Sequence, residues 1–267
     1  MTATRLVRCL AALKGAERKA LNTFITAGDP TKAATVPAMH ALVRGGADII
    51  ELGVPFSDPE ADGPAIQLSS ERALAEGTTL REVLDMVAAF RTSDTATPVL
   101  LMGYLNVLLK MGLAEFASAA GRAGADGVIV VNLPPEEAAD VKELLAAQGM
   151  DLVLLAAPTT TPERARMIAS VASGFLYYVS FRGTTGANLL DPKAVGQSVT
   201  RLREATELPI LVGFGIRDGD SARRVAALAD GVVVGTALVT TMGEAPPDEI
   251  PARLEAQVRS LRQALDA

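Results

Sequence analysis

The chain has 267 residues, 49% of them hydrophobic, and a net charge of −6 at neutral pH. That is enough apolar material for one large core, and the acidic balance argues against nucleic acid or an anionic membrane as the main partner. With a single cysteine, Cys9, and a single histidine, His40, neither a disulfide framework nor a cysteine-rich zinc site can be built, and no apolar run reaches the roughly 18 residues of a membrane span.

The N-terminal stretch Thr4-Arg5-Leu6-Val7-Arg8-Cys9-Leu10 is amphipathic and basic. It lacks the apolar core and small-residue cleavage site of a signal peptide, so it reads as a first helix covering one end of the domain, and a soluble cytoplasmic protein is expected. Leu21-Asn22-Thr23-Phe24-Ile25-Thr26 is rich in strand formers and is stopped by Gly28-Asp29-Pro30. Residues 31–44 carry apolar side chains at helical spacing and end at Gly45-Gly46. His40 lies within that helix, which makes it a helix-surface or core side chain rather than the base of a Ser-His-Asp or Cys-His site. Residues 47–51 read as a buried strand closed by Glu51, and helices are predicted over 65–75 and 80–91.

The alternation then repeats. Strands are predicted at 99–102, 127–131, 152–155, 175–179, 209–212 and 231–234. The helical stretches between them end near Gly124, or cover 136–147, a run from Pro162, 192–205 and 221–229. Three strands share one kind of junction: Gly46-Ala47-Asp48, Gly124-Ala125-Asp126 and Ala229-Asp230-Gly231. Eight continuous apolar strands, each followed by a helix, imply parallel pairing covered on both faces. Such a repeat matches a closed (β/α)8, or TIM, barrel with an extra N-terminal helix, an open doubly wound sheet being the alternative. No linker or charge block divides the chain, so residues 1–267 are expected to form one domain.

In such a barrel the site lies at the carboxyl ends of the strands. There the chain carries Glu51-Leu52-Gly53-Val54-Pro55-Phe56-Ser57-Asp58-Pro59-Glu60-Ala61-Asp62-Gly63-Pro64, four acids whose first downstream basic side chain is Arg72. Acids without counter-charge at a buried strand end are where a carboxyl pKa can rise toward neutrality. Asp58-Pro59 and Asp62-Gly63 are also ordinary turn pairs. Glu51 is less easily structural, because a carboxylate closing an apolar strand costs desolvation; an ion pair with a distant arginine is its other reading.

Three glycine-bearing loops are predicted on the same rim: Gly183-Thr184-Thr185-Gly186-Ala187 after the sixth strand, Gly213-Phe214-Gly215 after the seventh and Gly235-Thr236-Ala237 after the eighth. Loops after the last two strands, with a helix N-terminus, form phosphate sites in barrels, and glycine lets backbone N–H groups reach the anion. A dinucleotide fingerprint is rejected, since the third glycine, Gly219, falls one residue too far and no acid ends the next strand. Residues 181–191 form a long glycine- and threonine-bearing loop of the kind that closes over substrate.

The stretch from Glu51 to Pro64 resembles the signature of the tryptophan synthase α subunit. The likeness extends over nearly the whole chain, through Phe24-Ile25-Thr26-Ala27-Gly28-Asp29-Pro30, Ala157-Pro158-Thr159-Thr160, Tyr178-Val179-Ser180, Gly183-Thr184-Thr185-Gly186, Gly213-Phe214-Gly215-Ile216 and Gly235-Thr236-Ala237. The resemblance implies retro-aldol cleavage of indole-3-glycerol phosphate to indole and glyceraldehyde 3-phosphate, with neither cofactor nor metal. It makes Glu51 the acid/base at the indole ring carbon and the side-chain hydroxyl, and Asp62 the acceptor of the indole N–H. It implies that Phe24, Met102, Tyr177 and Phe214 line the indole pocket, that Gly186, Gly215, Gly235 and Thr236 hold the phosphate, and that Thr185 sits in the closing loop. An α2β2 complex with a β subunit is implied as well.

Thr236 stands where the family more often has serine. Asn132 replaces a usual aspartate, Glu60 a common apolar residue, and Leu105-Asn106-Val107 the usual Tyr-Asn-Pro, in stretches that face the β subunit in the family. Those departures leave two alternatives beside the ordinary α subunit: a stand-alone lyase releasing indole, or a mainly non-catalytic activator of a β-type chain. A different phosphate-binding barrel with a strand-end lysine is disfavoured, because Lys32, Lys110, Lys142 and Lys193 fall in helical or loop stretches.

Overall fold

A computed structural model describes residues 3–180, 192–213 and 215–267. The first helix, α1 (Arg5–Gly15), starts where the Thr4 hydroxyl accepts the Val7 N–H, and buries Leu6, Leu10 and Leu13 along one stripe. Eight strands follow: β1 (Ala20–Thr26), β2 (Ile49–Gly53), β3 (Val99–Gly103), β4 (Gly127–Val130), β5 (Asp151–Ala156), β6 (Leu176–Val179), β7 (Ile210–Gly213) and β8 (Gly231–Val234). They pair in parallel in sequence order, and β8 returns to β1, closing the barrel. Outside it lie α2 (Lys32–Gly45), α3 (Pro64–Ala75), α4 (Leu80–Arg91), α5 (Leu105–Met111), α6 (Leu113–Ala123), α7 (Ala139–Ala146), α8 (Pro162–Val171), α9 (Pro192–Arg203), α10 (Gly219–Ala226), α11 (Thr236–Glu244) and α12 (Ile250–Asp266). No described helix is long and apolar enough to cross a membrane.

The period of two along the strands separates two apolar clusters. Outward-pointing residues such as Ile25, Leu52, Leu101, Val128, Val212 and Val232 pack against the helices. Inward-pointing Ile49, Leu100, Ile129, Val153, Leu211 and Val233 fill the barrel, and the apolar stripe of α1 joins them, plugging the amino-terminal end.

Several expected boundaries move; the helix expected over 221–229, for example, spans Gly219–Ala226. β2 begins at Ile49 rather than at Ala47, because the α2 stop extends further: Gly46 turns left-handed at φ 104° and the Ala47 N–H still bonds Leu42 O at 3.0 Å. Glu51 is therefore the central residue of β2, not its last, and sits deeper in the barrel. The helical stretch after β3 is split at Gly112, whose φ of 91° ends α5 and begins α6. The stretch predicted over 136–147 opens as a 3₁₀ turn, Pro135–Glu137, and becomes α-helical only at Ala139.

The repeated alanine–aspartate junction has a structural reason at the plugged end. Asp48, Asp126 and Asp230 each accept a backbone N–H from the neighbouring strand, from Leu21, Val99 and Ile210 respectively, all at 2.8 Å. Each is also met by arginine: Asp48 by Arg18 and Arg262, Asp126 by Arg5 and Arg91, Asp230 by Arg203. Asp126 and Arg91 are both nearly buried, so Asp126→Ala leaves a strand N–H unpaired and the Arg91 guanidinium without its closest carboxylate; a loss of about 3 kcal/mol is expected in a denaturant titration.

Candidate active site

At the opposite end Glu51 and Asp62 have no such partners among the described residues. Glu51 pairs in register with Phe24 on β1 and with Leu100 on β3, which places it on the inner face. It is 0% exposed. Asn22 Nδ2 donates to its Oε1, while Oε2 has no partner among the described residues. Burial pushes the carboxyl up to about 8, with the Asn22 hydrogen bond pulling the other way.

Asp62 lies in the loop between β2 and α3, held by Asp62 N–H to Pro59 O at 3.0 Å and by Gln67 Nε2 to Asp62 O at 2.8 Å. Buried Tyr104 donates its hydroxyl to Asp62 Oδ2 at 3.2 Å and accepts the Ala61 N–H at 3.0 Å. Its ring packs on Phe56 at 5.2 Å between centroids. Burial pushes Asp62 up to about 6, against the Tyr104 hydrogen bond. Among the described residues no arginine or lysine acts on either acid. Arg72, the first base downstream, is spent elsewhere, on both carboxylate oxygens of buried Asp29 at 2.6 and 2.9 Å. Asp58 is exposed; its carboxylate accepts the hydroxyl of its neighbour Ser57 and its carbonyl the Glu60 N–H, as in a turn residue.

A cavity of about 560 Å³ opens at this mouth, lined by Asp62, Met102, Leu155, Tyr177 and the loop after β4. A narrow recess beside it brings Phe24, Gly53 and Tyr104 to Asp62 and Met102. Phe24, Met102, Tyr177 and Asp62 thus converge on one space. Two glycines make room for its rings: a Cβ at Gly53 would lie 2.6 Å from the Phe24 ring, and one at Gly213 would lie 2.4 Å from the Tyr177 hydroxyl. Gly213 is therefore a packing position beneath Tyr177.

Gly215 follows β7 with φ 77°, and Gly235 follows β8 as the N-cap of α11. Because β7 and β8 are paired and parallel, both lie on the same rim. Thr236, exposed, is the first residue of α11, whose opening N–H groups have no carbonyl a turn earlier. Thr185, Gly186 and Phe214 lie outside the described residues.

Two residues at the site were not singled out from sequence. Asn22 was visible as a lone amide in register with the inward set of β1; Tyr104 carried no signal. His40 sits on α2, hydrogen-bonded to Ser93 at 3.1 Å and stacked on Phe90, far from being a lone catalytic base. The departing positions meet one another: Asn132 Oδ1 accepts the Leu105 N–H at 2.8 Å, and Asn132 Nδ2 donates to Asn106 at 3.1 Å.

The fold and the site define a (β/α)8-barrel enzyme with buried, uncompensated carboxyls at its carboxyl-end mouth. The family model for the tryptophan synthase alpha chain matches residues 10–266. A tryptophan synthase alpha chain of Laribacter hongkongensis is 56% identical, covering 98% of this chain and 99% of that one; one of Xylella fastidiosa is also 56% identical, covering 96% of each. The crystal structure of tryptophan synthase subunit alpha from Legionella pneumophila superposes with a TM-score of 0.93 at 43% identity over 99% of each chain. The chain belongs to the tryptophan synthase alpha chain family.

Proposed function

We propose that Glu51 and Asp62 carry out the carbon–carbon cleavage of indole-3-glycerol phosphate to indole and glyceraldehyde 3-phosphate. The chain is a lyase of tryptophan biosynthesis by family; the assignment of its chemistry to these residues rests chiefly on one observation. Buried Glu51 on the inner face of β2 and half-buried Asp62 at the cavity have no cation on them among the described residues, and their environments push them to different pKa values, about 8 and about 6.

At neutral pH Glu51 therefore holds a proton and Asp62 is largely ionised. Glu51 delivers its proton to the indole ring carbon that bears the side chain, leaving positive charge on the ring nitrogen. The Asp62 carboxylate, accepting the N–H, stabilises that charge. Glu51, now a carboxylate, takes the proton of the adjacent side-chain hydroxyl as the carbon–carbon bond breaks. The bond's electrons restore the ring and neutralise the nitrogen, the hydroxyl carbon becomes an aldehyde, and Glu51 ends protonated as it began.

Phe24, Met102 and Tyr177, with Phe214 by the family pattern, form the indole pocket. Gly215, Gly235 and Thr236, with Gly186, hold the phosphate at the start of α11, where N–H groups and the helix dipole favour an anion. Thr185 belongs to the loop that closes over substrate. The chain works as one domain in the cytoplasm, with a β chain in an α2β2 complex. The Asn132–Leu105–Asn106 contacts keep the departing loops tied together on the face where that partner sits.

The test is indole formation from indole-3-glycerol phosphate by the full chain, with and without an added tryptophan synthase β chain. Slow release alone and faster release together is expected. Ample release alone indicates a stand-alone lyase, and no release in either case overturns the proposal.

A further inference from the structure

We propose that Asn22 is the positioning residue that ties down Glu51 Oε1, so that Oε2 alone carries and passes the proton. The inference rests on the acid/base reading of Glu51.

Asn22 is a fully buried amide inside a barrel whose interior is, apart from Glu51 and a few other polar side chains, filled by apolar residues. Its backbone is fixed on both sides, opposite Ile49 of β2 and Val233 of β8. A buried amide without a purpose costs stability, and an aliphatic side chain would fill the same place at lower cost. Among the described residues its side chain has one polar contact, Nδ2 to Glu51 Oε1, and its Oδ1 has no partner.

That contact decides where the proton sits. The carbonyl oxygen of a carboxylic acid accepts an N–H far better than its hydroxyl oxygen does, so with Nδ2 on Oε1 the acid form of Glu51 carries its hydrogen on Oε2, the carboxyl oxygen with no partner among the described residues. When Glu51 is the carboxylate the same bond persists, and Oε2 is again the oxygen left to accept. One oxygen thus gives and takes the proton, and the side chain need not rotate between the two steps.

The type of residue matters too. An arginine or lysine at position 22 would hold Glu51 ionised at neutral pH, whereas a neutral donor bonds both forms and favours the charged one only modestly. The other groups facing Glu51 leave this role to Asn22. Phe24 on β1, and Leu100 and Met102 on β3, are apolar. The titratable group that interacts with it is Tyr177 on β6, held neutral well above its ordinary range by burial and then by the charges of Glu51 and of Asp62 in the β2–α3 loop.

The test compares Asn22→Leu, which keeps the branching and loses the donor, with Asn22→Asp, which keeps the shape, in the full chain with an added β chain. Loss of the donor is expected to lower kcat by about 10²-fold with KM little changed, and to move the alkaline limb of the pH–rate profile upward. Infrared titration of the protonated Glu51 carboxyl, assigned by its loss in Glu51→Gln, reads the same shift without turnover and decides the matter if Asn22→Leu does not fold. An unmoved limb and an unmoved infrared titration in Asn22→Asp overturn the inference. If Glu51→Gln itself turns over at the parental rate, the acid/base reading fails. If Glu51→Gln is inactive while the Asn22 variants behave as the parent, only the role of Asn22 fails.

Discussion

Replacing Glu51 with glutamine is expected to slow indole release by about 10²- to 10⁴-fold, the range for losing a positioned acid/base, and at the same time to make the folded chain more resistant to alkali. The amide keeps the shape and can still meet Asn22, but it cannot deliver a proton to carbon or take one from a hydroxyl. The stability effect has the opposite sign because of linkage. The folded-state pKa of about 8 lies above the ordinary 4.5, so between those values the native state holds a proton that the unfolded chain has lost. The stability associated with this group is complete below about pH 4.5 and drains away as pH rises toward 8, by at most about 5 kcal/mol. Glutamine has no such loss. Melting curves of the two proteins should therefore separate progressively from pH 5 to pH 8, the variant melting higher. Curves that run parallel across that interval would mean that Glu51 is already ionised in the folded state.

Asp62→Asn is expected to lower kcat by about 10²-fold while KM changes little. The asparagine carbonyl can still accept the indole N–H in the ground state, so binding survives. What disappears is the negative charge beside a nitrogen that becomes positive only when the ring carbon is protonated, an interaction made in the transition state. Folding should be nearly unaffected, because Asp62 is only half-buried and its loop is held by backbone contacts at Pro59 and by Gln67. Steady-state kinetics separate the possibilities: a variant whose KM rises with kcat intact would make Asp62 a binding group only.

The barrel was legible because each strand is a short apolar run followed by a helical period, and eight such units have few ways to bury both faces of a sheet. That a first helix covers one end was legible from the amphipathic run from Thr4 to Leu10; that Leu13 continues its buried stripe was not. The position of Glu51 within β2 was not, because the strand's start depends on how far the Gly46 turn carries the end of α2. Among the acids, sequence alone could not sort those that staple the barrel from those left uncompensated. Asp126 and Glu51 look alike in a linear reading; what distinguishes them is that Arg91 reaches the first and no cation reaches the second. Burial raises Asp48 and Asp126 too, but strand N–H groups and guanidiniums pull them back. The contacts that set the two site acids, Asn22 with Glu51 and Tyr104 with Asp62, join residues 29 and 42 apart in the chain. Nothing local announces such pairs.

The most direct measurement is the pH dependence of kcat/KM for indole-3-glycerol phosphate cleavage by the full chain with an added β chain. Catalysis by an ionised Asp62 and a protonated Glu51 gives a bell, rising with a midpoint of about 6 and falling with a midpoint of about 8, the alkaline limb alone vanishing from the residual activity of Glu51→Gln. A rate that keeps climbing above pH 8 would mean that Glu51 acts only as a base, and would contradict the assignment of the two acids to opposite protonation states.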